Sequence, residues 1–502
     1  MPVSVTASCG DGSISRRRGF SRAALYTAIA IAYLAAFFLI GRNILDAPLS
    51  YDESGQIFIS QGLNHWSHPY SQPLGLGHVI KNNSLYNLDP GGFSILLFFW
   101  EKVSHNLLWI RLLPFLFYIG AILLTCRLTY RLTSNKIASA MSGLLLFGFF
   151  HGSAAWEARG YSMELCGVAF GILMIFRLRD SLSWRNLMTT SLLLSFFITA
   201  RYTMLAFGGI YSAYILWLII SSKESAGSII AKTLSYSAPL LITVAYIFNF
   251  SFSVQNPGMN PEHYFDYLPF TFLFWVPIFY VLLMTAPLFL WRFQSTDTRF
   301  MVKFFYAISA IFCILGAFRI LPWVQWFNKG IPFTWWLYET IFVCVIKWLG
   351  PTAKKISCCW ILLGIWLAYT VALHFALGCG SLSPAMHKAP WITDWEHELQ
   401  RREIIDAPQV IVGINPSPAI RYYFEYGSLK EKATEMGYPS KFVLLGRGPH
   451  SHLYKMYNYV ISDSVTFVDA PHGAALLGID HGSSDPYIKT VDTDHWAITF
   501  KK

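Results

Sequence analysis

Acidic side chains and an arginine recur at the ends of the apolar runs of this 502-residue chain. They occur in three short stretches, which read Tyr51-Asp52-Glu53, Asp89-Pro90 and Trp156-Glu157-Ala158-Arg159-Gly160-Tyr161. A positioned carboxylate can take the proton of an attacking hydroxyl, and a fixed guanidinium can stabilise the negative charge that grows on a phosphate leaving group. Charged groups near hydrocarbon are costly unless they are paired or face a water-filled cavity, so these stretches are candidate functional sites.

Structural explanations compete with each of these assignments. Asp52 and Glu53 could be a solvated pair or cap the helix that follows them. Arg159 could be an interfacial residue paired with Glu157. Arg201 could simply mark a tight turn between two apolar runs, and Glu339 could be a hydrogen-bonded structural residue within a span.

The elements that must position these residues are membrane helices. Hydrophobic residues make up 54% of the chain and charged residues only 13%, against about 25% in a soluble domain. This composition excludes a disordered chain and argues against a soluble enzyme. We predict eleven spans, each near the length of roughly 20 residues that a bilayer requires, at 23–40, 107–126, 137–152, 162–176, 186–200, 204–221, 233–250, 268–291, 302–320, 331–350 and 358–378. The apolar stretch 92–103 is too short to cross and is predicted as a juxtamembrane or re-entrant helix.

Basic residues orient this layout, because cytoplasmic loops are enriched in lysine and arginine. With the N-terminus inside, eighteen basic residues fall on the inner side and eight on the outer side. We therefore predict a cytoplasmic tail (1–22), a transmembrane domain (23–382) with a large external loop (41–106), and an external C-terminal domain (383–502). We expect a multi-pass protein of a bacterial inner membrane, with its C-terminal domain in the periplasm.

The C-terminal segment differs in composition from the rest. It holds 12 basic and 14 acidic residues, so the net charge of +10 comes from the membrane part and reflects topology, with no need for a nucleic-acid partner. We predict strands at 409–414, 442–445, 457–462 and 495–500 and a helix at 419–426, which together suggest a small α/β domain. No Walker loop, dinucleotide fingerprint, nucleophile elbow or metal-type histidine spacing is found, so nucleotide-driven transport by this chain alone is disfavoured.

The order and spacing of these motifs resemble the GT-C membrane glycosyltransferases that use polyprenyl-phosphate sugars, the branch of the protein O-mannosyltransferases and the aminoarabinose transferases of lipid A. The Asp-Glu pair that follows the first helix in that family is matched by Asp52-Glu53, and its E-A-R-x-Y element is matched by Glu157-Ala158-Arg159-Gly160-Tyr161. Its Arg-Leu at the second helix is matched by Arg111-Leu112. The family's His-Pro-Pro reads Asp89-Pro90-Gly91 here, which leaves open whether Asp89 orients a substrate or begins a turn.

The resemblance implies a GT-C fold and the transfer of one sugar from a polyprenyl-phosphate donor to an envelope acceptor at the outer face, usually with inversion. The acceptor could be a lipid, a glycan or a protein hydroxyl. Asp52 is then the expected general base, and Glu53 would orient the acceptor or a metal. The donor phosphate would contact Arg159 and Tyr161, with Arg111 and Arg201 as further candidates. Tyr51, Asp89 and Glu157 are candidates for contact with substrate or metal.

Three points stay open at this stage. No cofactor is required by the sequence, although a divalent cation such as Mg²⁺ or Mn²⁺ would suit the carboxylates. A lipid-linked-sugar flippase without transferase chemistry is the alternative function, and a scaffold subunit of an envelope complex is a third. A transporter would be expected to carry broken helices and polar sites at the bilayer midplane, whereas these charges lie at one interface.

Overall fold

The computed structural model describes residues 11–46, 49, 51–63, 72–87, 89–149, 155–252, 285, 287, 288, 290, 291, 294–317, 331–349, 352–372, 409–413, 422, 426, 442–446, 465–469, 488–493 and 496–501. Its longer helices are α1 (Asp11–Asp46), α2 (Tyr51–Ser60), α3 (Leu76–Tyr86), α4 (Gly92–Glu101), α5 (Leu107–Thr133), α6 (Lys136–Phe149), α7 (Tyr161–Asp180), α8 (Trp184–Phe197), α9 (Tyr202–Ile220), α10 (Ala226–Ile247), α11 (Thr296–Ala317), α12 (Ile331–Trp348) and α13 (Thr352–Ala372). A π-helical turn, Phe248–Phe252, continues α10.

Ten of the eleven predicted spans coincide with helices of the described chain, and most of the span at 268–291 lies outside the described residues. The helix α4 occupies the stretch predicted as a short helix. Within the described ranges, five helical segments are both long and apolar enough to cross a membrane: Ala23–Arg42, Leu107–Thr133, Tyr161–Asp180, Tyr202–Ile220 and Ala226–Phe250. The polytopic helical architecture is therefore confirmed.

The centre of the bundle is α7, which is buried along most of its length. Glycines let neighbouring helices approach it closely. A Cβ atom at Gly167 would lie 2.6 Å from the Cβ of Phe197 on α8, and one at Gly171 would lie 2.2 Å from the ring of Tyr211 on α9. Small residues serve membrane helix packing in this way because dispersion contacts, and not the exclusion of water, hold such helices together.

Successive long helices run in opposite directions, so their connections lie alternately at the two ends of the bundle. At one end, which we call the basic end, Arg131 of α5 forms a two-pronged ion pair with Asp180 of α7, and Arg179 contacts Asp297 of α11 at 3.3 Å. The other end, which we call the site end, carries the short helices α2, α3 and α4. The connections between α6 and α7 and between α8 and α9 also lie at the site end.

A buried network of polar side chains joins the three short helices. Gln56 of α2 donates to Ser94 of α4 at 2.6 Å, Ser94 donates to Asn83 of α3 at 2.6 Å, and Asn87 donates to both Gln56 and Asn83. Asn83 also donates to the backbone oxygen of Asp89 at 2.8 Å. Because every member of such a network fixes its neighbours, the three helices form one rigid platform.

The C-terminal segment forms a five-stranded mixed sheet. Its strands are β1 (Gln409–Gly413), β2 (Phe442–Gly446), β3 (Val465–Asp469), β4 (Ile488–Thr493) and β5 (Trp496–Lys501), in the order β3-β2-β1-β5-β4. The pairs β1–β2 and β2–β3 are parallel, whereas β5 runs antiparallel to both β1 and β4. The strands predicted at 409–414, 442–445 and 495–500 are confirmed, β3 and β4 were not predicted, and the predicted strand at 457–462 lies outside the described residues.

This segment contacts the site end through two tyrosines. The Tyr422 hydroxyl donates to the backbone oxygen of His105 at 2.6 Å, and the Tyr426 hydroxyl donates to Gln61 at 3.2 Å. Tyr422 is helical, within the helix predicted at 419–426, although most of that stretch lies outside the described residues. These two tyrosines therefore lie at the same end of the bundle as the three sequence stretches that could do chemistry.

Candidate functional site

The fold brings distant charged residues together at the site end. Asp52 and Glu53 lie in the first turn of α2, and Asp89 lies in the turn before α4. Arg159 lies in the connection before α7, and Arg201 is the N-cap residue of α9. Residues that are more than a hundred positions apart therefore meet in one cluster, as the sequence predicted.

Glu53 and Arg111 form a buried pair beneath this cluster. The Arg111 Nε and Nη2 atoms donate to the two carboxylate oxygens of Glu53 at 2.8 and 2.7 Å. The Ala158 amide adds a third hydrogen bond to Glu53 at 3.1 Å, and Arg111 Nη1 donates to the Ile44 backbone oxygen. The guanidinium also lies over the Trp156 ring, 4.8 Å from its centroid. Both charged groups are buried. Their hydrogen bonds link α1, α2, α5 and the 155–160 connection, so the pair forms a structural tie between these elements.

Asp52 has the opposite environment. Its side chain is 56% exposed, and its carboxylate accepts a hydrogen bond from Arg159 Nη1. The partner of Arg159 is therefore Asp52, whereas the structural explanation had paired Arg159 with Glu157. The two adjacent residues of α2 thus point in opposite directions. Glu53 points inward, where Arg111 neutralises it, and Asp52 points outward, where solvent or substrate can reach it.

Arg159 remains a full positive charge in this setting. Burial lowers the pKa of its guanidinium, but the phenol of Tyr161 and the carboxylates of Asp52, Asp89 and Glu157 raise that pKa above its ordinary value. The guanidinium carbon lies 5.2 Å from the centroid of the Tyr161 ring. A cation held in this way beside an exposed carboxylate can bind an anionic ligand that competes for it.

A second arginine lies against the same tyrosine. Arg201 is buried, and its guanidinium carbon lies 4.2 Å from the centroid of the Tyr161 ring. Its Nε atom is 3.5 Å from Asp89, and its Nη1 atom is 3.7 Å from Glu164. At those distances Nη1 makes no hydrogen bond within the described chain, and neither does Glu164 Oε2. Thr203 donates to the other oxygen of Glu164.

Close backbone packing fixes the turn that carries Asp89. The Gly92 amide donates to the Thr199 backbone oxygen at 3.0 Å, and a Cβ atom at Gly92 would lie 1.8 Å from Thr199 Oγ1. Gly91 has a φ of +94°, a left-handed conformation that glycine adopts without steric cost. The two glycines therefore allow the α4 turn to dock on the turn before α9, which places Asp89 beside Arg201.

Glu164 is the site residue that sequence reasoning missed. It follows the recognised E-A-R-x-Y stretch and looks like one polar residue in an apolar helix, although a charge inside a predicted span was a usable signal. Two further candidates remain. Glu157 is buried in the connection before α7, and Tyr51 begins α2, with its side chain outside the described part of the structure.

The candidate metal ligands are each occupied by an arginine. Asp52 faces Arg159, Glu53 faces Arg111 and Asp89 faces Arg201. Across the described residues, no group of three His, Cys, Asp or Glu side chains could hold a metal ion. The arrangement does not fit a divalent cation shared by these acids.

Comparison with known proteins finds solved structures to which this chain is similar in fold. No family model and no curated protein matches the sequence. The crystal structure of ArnT from Cupriavidus metallidurans in the apo state aligns with 95% of this chain and 98% of that chain, with a TM-score of 0.51 and 14% sequence identity. The crystal structure of the Archaeoglobus fulgidus oligosaccharyltransferase in complex with zinc and sulfate aligns with 88% of this chain and 62% of that chain, with a TM-score of 0.34 and 11% sequence identity.

The chain thus has the architecture of ArnT over nearly its whole length. This confirms the GT-C fold that the sequence motifs predicted. At 14% identity the likeness concerns the fold, so the chemistry must be argued from the residues at the site end.

Proposed function

We propose that this protein is a membrane glycosyltransferase that moves a sugar from a polyprenyl-phosphate donor to an envelope acceptor at the outer membrane face. The observation that carries the proposal is the exposed Asp52 carboxylate beside Arg159, at the end of an ArnT-like bundle. A base for an acceptor hydroxyl and a cation for a lipid phosphate are the two groups that such a transfer needs.

Asp52 acts as the general base in this proposal. Its carboxylate takes the proton of the acceptor hydroxyl while the hydroxyl oxygen forms a bond to the anomeric carbon of the sugar. The bond between that carbon and the phosphate oxygen breaks, and the electron pair leaves with the polyprenyl phosphate. Attack opposite to the leaving group inverts the configuration at the anomeric carbon.

Arg159 is the principal ligand of the donor phosphate, and Tyr161 supports it. Arg159 is paired with Asp52. A phosphate that binds Arg159 competes with Asp52 for the guanidinium and releases the carboxylate to contact the acceptor. Donor binding therefore frees the Asp52 carboxylate to act as the base. In this way the Asp52–Arg159 ion pair couples binding of the donor to activation of the acceptor.

Arg201 is a weaker candidate for the phosphate because Asp89 and Glu164 both face it. Its unbonded Nη1 atom still offers one donor to the ligand. Glu53 and Arg111 satisfy each other, so we assign them the positioning of Asp52 and of the 155–160 connection, in place of the direct roles that the sequence suggested.

In this mechanism no step passes through a metal ion, because Asp52, Glu53 and Asp89 are each paired with an arginine. The orientation follows from the basic end of the bundle, which belongs in the cytoplasm by the positive-inside rule. The protein is then a multi-pass inner-membrane protein with its site and C-terminal domain in the periplasm. We further propose that the C-terminal domain meets the acceptor; the contacts of Tyr422 and Tyr426 with the site end support this.

The test is transfer of label from radiolabelled polyprenyl-phosphate sugars to envelope acceptors by purified protein in lipid. We expect wild type to transfer and Asp52→Asn to lose at least a hundredfold, the lower range for removal of a general base. A protein that moves lipid-linked sugar across the bilayer, with no transfer from any donor, would support the flippase instead.

A further inference from the structure

A groove between α1, α5 and α6 lies away from the site end and has no role in the proposed function. Its volume is about 600 Å³. Most of its wall is apolar and includes Phe37 of α1 and Ile119, Ile122 and Leu123 of α5. Leu123 is 64% exposed, so the groove opens toward the surroundings of the bundle, where lipid would lie.

The hydroxyl of Tyr33, which also lines the groove, is satisfied inside the protein. It donates to the Ala140 backbone oxygen at 2.8 Å and contacts the sulfur of Cys126. This part of the wall therefore presents an aromatic face without an unmet hydrogen bond, which suits a hydrocarbon chain.

One end of the groove is basic. Arg127 and Tyr130 of α5 and Lys136, the first residue of α6, line that end. Both cationic side chains are exposed, and neither makes an ion pair with any part of the chain that the structure describes. The first turn of α6 adds the positive end of a helix dipole. The groove thus combines an apolar length with an unneutralised positive end.

The dimensions of the groove match one leaflet of a bilayer. From Ile119 to Tyr130 the wall runs along about 17 Å of α5, at about 1.5 Å per residue. Half of a hydrocarbon core of about 30 Å is about 15 Å. Arg127 lies about 24 Å further along α5 than Arg111 of the site end, so the groove belongs to the opposite leaflet.

We propose that this groove binds an anionic glycerophospholipid of the leaflet opposite the candidate site. The phosphate of the headgroup lies between Arg127 and Lys136, Tyr130 contacts the headgroup region, and one acyl chain packs along Phe37, Ile119 and Leu123. Two cations at the end of an apolar groove favour a net negative headgroup over a zwitterionic one, because the latter carries its own cation close to its phosphate. Basic pockets between membrane helices on the cytoplasmic side bind anionic headgroups in this way.

The probe is phosphatidylglycerol, compared with phosphatidylcholine, and the readout is lipid bound to the purified full-length protein by native mass spectrometry across a titration. We expect wild type to bind phosphatidylglycerol more tightly than phosphatidylcholine. The double variant R127Q/K136Q should lose most of that preference, about fivefold in affinity for each charge removed, which corresponds to about 1 kcal/mol per basic residue. The variant L123W, which fills the groove without changing its charge, should weaken both lipids.

The matched control is R177Q/R185Q, which removes two exposed positive charges from the same basic end outside the groove. It should bind phosphatidylglycerol as wild type does, and unfolding midpoints in the same detergent should show that all variants are folded. An equal loss in the control, or wild-type affinity in R127Q/K136Q, would overturn the proposal. A dimer that L123W dissociates, with no lipid retained by wild type, would assign the groove to a second copy of the chain instead.

Discussion

Replacing Glu53 by glutamine should destabilise the protein severely, although the site beside it is exposed. The side chains of Arg111 and Glu53 are 0% and 1% exposed, and two of the three hydrogen bonds described for the guanidinium end on that carboxylate. Glu53→Gln removes the negative charge and leaves Arg111 charged in a buried place. Breaking a buried ion pair from one side costs about 3–5 kcal/mol.

The neighbouring residue supplies the control. The side chain of Asp52 is 56% exposed, and an exposed ion pair contributes only about 0–1 kcal/mol. Asp52→Asn should therefore leave the free energy of unfolding within about 1 kcal/mol of wild type. Replacing both partners of the buried pair, in E53L/R111M, should recover most of the loss because no uncompensated charge remains.

The assay is equilibrium unfolding in mixed micelles with increasing sodium dodecyl sulfate, followed by tryptophan fluorescence. The expected order of stability is wild type and Asp52→Asn together, E53L/R111M somewhat lower, and Glu53→Gln lowest. If Glu53→Gln unfolded at the wild-type midpoint, the assignment of Glu53 and Arg111 to a structural tie would be refuted.

Three further predictions concern the platform, its pH response and metal dependence. Gly92→Ala should lower the free energy of unfolding by about 1–3 kcal/mol, because the new Cβ atom would lie 1.8 Å from Thr199 Oγ1. Unfolding midpoints test this, with Gly77→Ala as the control, since a Cβ atom at Gly77 would meet no atom within 4 Å. Burial raises the pKa of the Glu101 carboxyl above its ordinary value, while hydrogen bonds from His105, Ser60 and Gln61 lower it by less. The folded state therefore holds that proton more tightly than the unfolded state does, so this contribution to stability is complete at low pH and is lost as pH rises through the raised pKa. The difference in unfolding midpoint between wild type and Glu101→Gln should thus change between acidic and neutral pH, and a difference that is constant with pH would contradict the shift. Finally, transfer activity should survive treatment with EDTA, since the site acids are paired with arginines, and a loss that Mg²⁺ or Mn²⁺ restores would show that a cation is needed.

Much of the fold could be predicted from the sequence because its determinants are local. An apolar run long enough to cross a bilayer must satisfy its backbone internally, which makes it a helix whatever its neighbours are. For that reason helices lie at ten of the eleven predicted spans, and five helical segments of the described chain are long and apolar enough to cross a membrane. The strand β3 was missed because a short strand depends on its pairing partner, and its partner β2 is distant in sequence. The strand β4 was missed although its partner, β5, is its neighbour along the chain.

The site was predictable in its membership and less so in its pairings. Asp52, Asp89, Arg159 and Arg201 share one end of the bundle because alternating helices bring every second connection to the same side. Which arginine faces which carboxylate depends on the rotation of each helix and on close packing such as that of Gly92 on Thr199. Sequence spacing does not encode those rotations, so the Glu53–Arg111 pair and the position of Glu164 emerged only from the structure.

The most direct test of the central claim is sugar transfer by Asp52→Asn and Arg159→Ala, measured with polyprenyl-phosphate sugar donors alongside donor binding by the same proteins. Asp52→Asn should bind donor at least as well as wild type, because Arg159 no longer has a carboxylate competing with the phosphate, yet transfer at least a hundredfold more slowly. Arg159→Ala should lose donor binding and transfer together. Wild-type transfer by Asp52→Asn in folded protein would contradict the account.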